Sequence, residues 1–300
     1  MAPQILQLVL AGTTVGSIYA LIALGFVMVY KVTHIINLAQ GEFVMLGALV
    51  MVSWVGIRVP FFLAFLLSIL LVLGIGLLLE RLVIHPARRA PRLVLIILTI
   101  GAGISLRGGA LLFWGTDPYT LSAFSPGGPL SLGGAILSRQ SLWVFGLTAL
   151  TLGLLHGFFE YTLLGKALRA CAVNASAARL MGINPDRMSL LAFALSAGLG
   201  ALAGIVIAPL VFPTYDMGLM LGLKGFVAAV MGGLTSVTGA VLGGFLLGVL
   251  ESLSAGFISS GFKDGVAFLI LFGLLLLQPK MTGGRSSGKR RFQGRRRPEG

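Results

Sequence analysis

The sequence predicts an all-α, polytopic transmembrane helical bundle. Three observations predict it. Of 300 residues, 57% are hydrophobic and only 10% are charged, against about a quarter in soluble domains. The mean hydropathy is +1.00, more apolar surface than one water-soluble core of this size hides. The apolar runs are long and continuous rather than alternating, which disfavours a β-barrel.

Uncharged windows give the elements in order. The first span is Ile5 to Tyr30, too long for a signal-peptide core. After the link Lys31 to His34, the second runs from Asn37 to Ile57 and the third from Val59 to Leu79. A basic loop from Glu80 to Arg92 leads into the fourth, Leu93 to Trp114, which Arg107 interrupts. Residues 115–140 are rich in Pro, Gly and Ser and are expected as an external loop. The fifth span is Ser141 to Phe159, the long basic loop 160–187 follows, and the sixth is Met188 to about Val211. Gly222 to Ser260 would measure roughly 58 Å as one helix, about twice the hydrocarbon core. The Gly-rich break from Gly232 to Gly239 therefore predicts a broken helix or hairpin crossing twice. Gly265 to Pro279 is the last span. The count is about eight or nine crossings.

Charge orients this bundle. The net charge is +13, and sixteen of the 22 Lys and Arg lie at Arg81–Arg92, Lys166–Arg187 and Lys280–Arg297. Basic flanks mark cytoplasmic loops, so the N-terminus is expected outside and the C-terminus in the cytoplasm. Residues 1–279 form one transmembrane domain with a cytosolic loop at 161–187. The tail 280–300, almost without apolar residues, is expected to be disordered and to meet anionic lipid rather than nucleic acid.

Several chemistries have no motif here. No phosphate-binding G-x-x-x-x-G-K-[ST] loop occurs, so ATP hydrolysis is not expected of this chain. His34, His85 and His156 are far apart, and Cys171 is the single cysteine, so neither a metal site nor an intrachain disulfide is indicated. Four features remain. Asn37, Gln40 and Glu42 open the second span; an acid inside the membrane boundary marks function or a structural partner for a cation such as Lys31. Ser17 and Tyr19 place hydroxyls in the first span, where they line a polar path or bond back to their own helix. The segment Gly165 to Pro185 is amphipathic and stops at Gly182; it suits docking into a partner's groove, or lying on lipid. The break at Gly232 and Gly233 is either a solute site of exposed backbone or a plain interhelical turn.

Gly16 to Gly25, Tyr30 and Ile36 to Glu42 together resemble the opening of the LivH-type permeases of branched-chain amino acid ABC importers. Glu80-Arg81, Gly165 to Ala170, Leu180 to Asn184, Lys224-Gly225-Phe226, Met231 to Leu234, Glu251 and Pro279 extend the likeness over residues 10 to about 280. The resemblance implies a permease subunit of the bacterial inner membrane, not an enzyme. Its partners would be a second permease, two cytosolic ATPases that hold ATP and Mg, and a periplasmic solute-binding protein. It implies that Ala172, Asn174, Ala177, Ala178, Gly182 and Ile183 belong to the loop that couples to the ATPase. Val173 and Asn174 stand where relatives often carry acids, and Gln40 where they often carry His. The expected solute is a branched-chain amino acid or a related small polar molecule. Ser17, Tyr19, Asn37, Gln40, Glu42, Gly232 and Gly233 are candidates for its path. A stand-alone secondary transporter or channel is the alternative.

Overall fold

The computed structural model describes residues 2–132, 134–259, 261, 264–265, 267–270, 272–273 and 276. The expected tail 280–300 lies outside the described residues, as does part of the last expected span.

Helix α1 (Ala2–Thr33) forms the axis of the bundle. It is followed by α2 (Gln40–Gly56) and α3 (Phe61–Leu79). A π-turn (Glu80–Ile84) and the short α4 (His85–Ala87) prolong α3, so the basic segment expected as a loop is helical for its first two turns. Pro86 has no amide to give to the turn before it, and the widened π register accommodates that loss. Then come α5 (Arg92–Trp114), the antiparallel hairpin β1 (Leu130–Leu132) and β2 (Ala135–Leu137), α6 (Arg139–Tyr161), α7 (Leu163–Val173) and α8 (Ala175–Leu180). The chain continues through α9 (Pro185–Ile207), α10 (Met217–Gly232) and α11 (Val237–Phe257). Among the described residues six helices are long and apolar enough to cross a membrane, and α2 and α10 are shorter apolar helices.

Polar caps set five of the helix starts. Ser138, Thr162, Asn174, Asn184 and Ser236 each accept a hydrogen bond from the first turn of the helix that follows, satisfying amides that a helix start leaves open. Gly233, at φ 80°, ends α10, and the tight turn to Ser236 sends α11 back antiparallel, as the length of this stretch predicts.

Glycine sets the packing, because lipid offers no hydrophobic drive between helices and close backbone contact replaces it. Gly12 and Gly16 of α1 lie on Gly244 and Gly248 of α11, with the two helices antiparallel. Gly200 and Gly204 of α9 lie on Phe43 and Val44 of α2. Gly41 of α2 meets Gly218 and Gly222 of α10. Helices α1, α2, α9 and α10 thus form the buried centre, with Ile18, Tyr19, Leu21, Phe26, Phe43 and Phe193 fully enclosed. Helices α3, α5 and α6 expose apolar faces such as Leu70, Ile97 and Leu154.

The bundle has two distinct ends. The β-hairpin sits by the start of α1, where Gln7 exchanges hydrogen bonds with Ile136. Helices α7 and α8 sit at the opposite end, beside Lys31 and Val32 at the end of α1.

Candidate functional site: a polar cluster at buried helix starts and an exposed helical platform

The cluster begins where α1 stops. His34 adopts φ 56°, and its amide donates to Tyr30. A non-glycine residue in the left-handed region is uncommon, but His is among those that tolerate it. Residues 34–39 then run back along α1 without forming a helix. Ile35, Asn37 and Ala39 are buried there. Gln40 ends up against Gly25, eight residues before Thr33, roughly 12 Å back along the helix. Helix α2 therefore starts deep inside the bundle.

Non-helical backbone at such depth needs partners from the protein. Leu38 N–H donates to the Thr99 hydroxyl at 3.1 Å, and Ala39 N–H to Asn37 Oδ1 at 3.2 Å. Gln40 Nε2 donates to the Ser196 carbonyl at 3.0 Å, and the Ser196 hydroxyl is shared between Gly25 O and Gln40 Oε1. Gln40 thus ties α2 to α1 and α9.

Glu42 lies in the first turn of α2 with its carboxylate paired to Arg107 of α5. Its side chain is 3% exposed, and that of Arg107 is 24%. The cation Glu42 meets is Arg107 of α5, not Lys31. Among the described residues, Glu42 Oε2, Arg107 Nε and Asn37 Nδ2 find no hydrogen-bond partner. Helix α10 also starts beside this pair, with Gly218 against Glu42 Oε2. Neither α2 nor α10 has a side-chain cap hydrogen bond, and each start carries an acid: Glu42 in the first turn of α2 and Asp216 at the N-cap position of α10, near enough to act on the Glu42 carboxylate.

The structure brings Asn37, Gln40 and Glu42 together and separates the other candidates. The Ser17 hydroxyl bonds back to Thr13 O at 2.8 Å. Tyr19 belongs to a second buried network: its hydroxyl donates to Glu251 at 2.7 Å, and Lys224 pairs with Glu251 at 2.8 Å and with Asp264 at 2.6 Å. Gly232 and Gly233 lie apart from both networks, at the α7 end, where Val237 and Thr238 line a crevice with Lys31, His156, Glu160 and Arg169. That break is an interhelical turn. The non-helical backbone at depth is 34–39 instead, and no Gly or Pro in it signals the break.

The second candidate region is the α7–α8 platform. Leu168, Cys171 and Ala178 are buried against Met188 and Ala192 of α9, and burial pushes the Cys171 thiol up from its usual range. Arg169 holds the end of α6 through Glu160 at 2.7 Å and through the Phe159 carbonyl. Asn174 Oδ1 accepts from Ser176 and Ala177, both at 3.0 Å, and so starts α8. Gly182, at φ 83°, ends it. Of the coupling residues expected, Asn174, Ala177 and Gly182 are exposed, Ala172 and Ile183 half-buried and Ala178 buried. Large apolar side chains open to a partner include Leu163, Val173, Leu180 and Met181, at 83–90% exposure. The sequence marks Val173 and Leu180 to Asn184 only through the family resemblance; apolar residues beside a helix stop were the further signal of exposure.

The profile described as branched-chain amino acid transport system / permease component matches residues 8–277. The chain belongs to the branched-chain amino acid transport permease family. This permease is 36% identical over 290 residues to the high-affinity branched-chain amino acid transport system permease protein BraD of Pseudomonas aeruginosa, covering 91% of this chain and 94% of that one. It is 35% identical over 291 residues to the LivH permease protein of Escherichia coli K12, with the same coverage. The solved structure of PsaBC from Streptococcus pneumoniae in complex with Fab superposes with a TM-score of 0.45 at 15% identity, over 92% of this chain and 89% of that chain. The permease is a multi-pass membrane protein and a transporter subunit, not an enzyme.

Proposed function

We propose that the permease is the membrane-spanning subunit of an ABC importer that carries branched-chain amino acids across the bacterial inner membrane. The observation that carries this reading is the α7–α8 platform. It is a pair of capped helices, fixed to the bundle through Leu168, Cys171 and Ala178, that presents Val173, Leu180 and Met181 outward at one end. Apolar side chains on a rigid, helix-built ledge suit a groove on another protein.

Charge supports placing this end in the cytoplasm. Lys31, Arg88, Arg92, Lys166, Arg179 and Arg187 gather there, whereas Arg58 and Arg139 stand at the hairpin end with Asp117. The N-terminus is then outside and the C-terminus in the cytoplasm.

Family membership implies ATPase and binding-protein partners. In this reading two cytosolic ATPases hold ATP and Mg, and their closure pushes α7 and α8. A second permease completes the conduit, and a periplasmic receptor delivers the solute. The path passes the Asn37–Glu42 segment and Arg107 on the exposed face of α5. Proteoliposomes holding the permease pair, the ATPases and the receptor should take up leucine only with ATP. The permease purified alone should hydrolyse none. Uptake by the permease alone, without nucleotide, would support a stand-alone carrier instead.

A further inference from the structure

We propose that Glu42 and Arg107 form the recognition site for the two charges of a zwitterionic α-amino acid, each exchanging its internal partner for the solute's ammonium or carboxylate. This inference rests on the reading of the chain as an amino-acid permease.

The pair is not needed to fill space. Apolar side chains of similar volume stabilise a helical bundle as well as a buried ion pair or better, and a charge within a span marks function by default. Its unused valences are specific. Among the described residues, Glu42 Oε2 is an acceptor with nothing to accept, while Arg107 Nε and Asn37 Nδ2 are donors with nothing to donate to. A zwitterion supplies the complement: ammonium protons for the carboxylate, and carboxylate oxygens for the two donors. A solute with only one of the two charges would leave either Glu42 or Arg107 without a counter-charge once the internal pair opened.

The surroundings fit. The start of α2 has no side-chain cap and adds positive potential for a carboxylate, while Asp216 at the start of α10 places a second acid near Glu42 that favours the solute's ammonium. Gly41, Gly103, Gly218 and Gly222 remove side-chain bulk around the pair. The state seen is closed, because a Cβ on Gly218 would lie 2.7 Å from Glu42 Oε2. Arg107 nevertheless reaches the surface of α5, beside the exposed Gly101, Ser105 and Gly108. Helix α5 is held chiefly by α2 and the π-turn, so its displacement from α2 separates the charges and opens the site toward that face.

The test is leucine uptake by the complete reconstituted transporter carrying Glu42→Leu together with Arg107→Met. The double variant avoids stranding one charge. Co-elution with the ATPases and a melting temperature near that of the parent establish that it folds. The expected result is uptake reduced at least tenfold. Uptake within twofold of the parent would overturn the inference while leaving the functional reading intact. A parent complex that carries no zwitterionic amino acid would overturn both.

Discussion

Replacing Gly16 by alanine probes the contact that holds the centre of the bundle, α1 against α11. A Cβ at position 16 would lie 2.8 Å from the Phe245 Cα and 2.9 Å from the Gly244 carbonyl oxygen, both of them backbone atoms. Ordinary carbon contacts lie at about 3.5–4.0 Å, so α11 must withdraw by about 0.7–1.2 Å. Overpacking of this kind costs about 1–3 kcal/mol. Alanine also gains about 1 kcal/mol over glycine in any helix interior, which would mask part of the effect. Gly198 of α9 supplies the reference, since a Cβ there meets nothing within 4 Å. Both variants share the helical gain, so the difference between them isolates the steric cost. Gly16→Ala should therefore be less stable than Gly198→Ala by about 1–3 kcal/mol, roughly 5- to 150-fold in the folding equilibrium. Denaturant titration of the detergent-solubilised permease measures it. Equal stability of the two variants would refute the claim that glycine-to-glycine backbone contact holds α1 on α11.

Three further outcomes follow from the platform. Asn174→Ala removes the cap of the six-residue α8, costing about 1 kcal/mol, and should raise amide exchange over 175–180. Gly182 has open space but a left-handed backbone at φ 83°, so Gly182→Asn should keep ATPase co-purification and Gly182→Val should weaken it; the left-handed conformation costs about 1–2 kcal/mol for an ordinary residue. Burial raises the Cys171 thiol pKa, which lowers its thiolate fraction at neutral pH. Its maleimide labelling should be slow near pH 7, should still be rising with pH above the ordinary thiol range, and should lag a cysteine placed at exposed position 181.

The spans were legible because continuous apolar runs are the membrane's own requirement. The helices α3, α5, α6 and α9 fall within a few residues of the windows expected. The hairpin of α10 and α11 followed from length together with the Gly-rich break, since 39 residues exceed one crossing and Gly232 to Gly239 interrupts them. The β1–β2 hairpin was missed although Leu130-Ser131-Leu132 and Ala135-Ile136-Leu137 flank Gly133-Gly134, a recognised two-residue turn signal. The site was half legible. Asn37, Gln40 and Glu42 announce themselves as polar residues in an apolar run. Their partners Thr99, Arg107 and Ser196 lie 61 or more residues away, and no local pattern joins them. The depth of α2 was hidden for a related reason: it follows from the chain doubling back after His34, which depends on contacts with α1 and α5 rather than on residues 34–39 themselves.

The proposed coupling is the engagement of the α7–α8 end of this permease by an external motor. Met181→Cys tests it most directly, by crosslinking within the assembled transporter and by labelling intact spheroplasts with an impermeant maleimide. A crosslink to an ATPase subunit and no labelling from outside are expected. A crosslink to the periplasmic receptor, or ready labelling of intact spheroplasts at position 181, would contradict it.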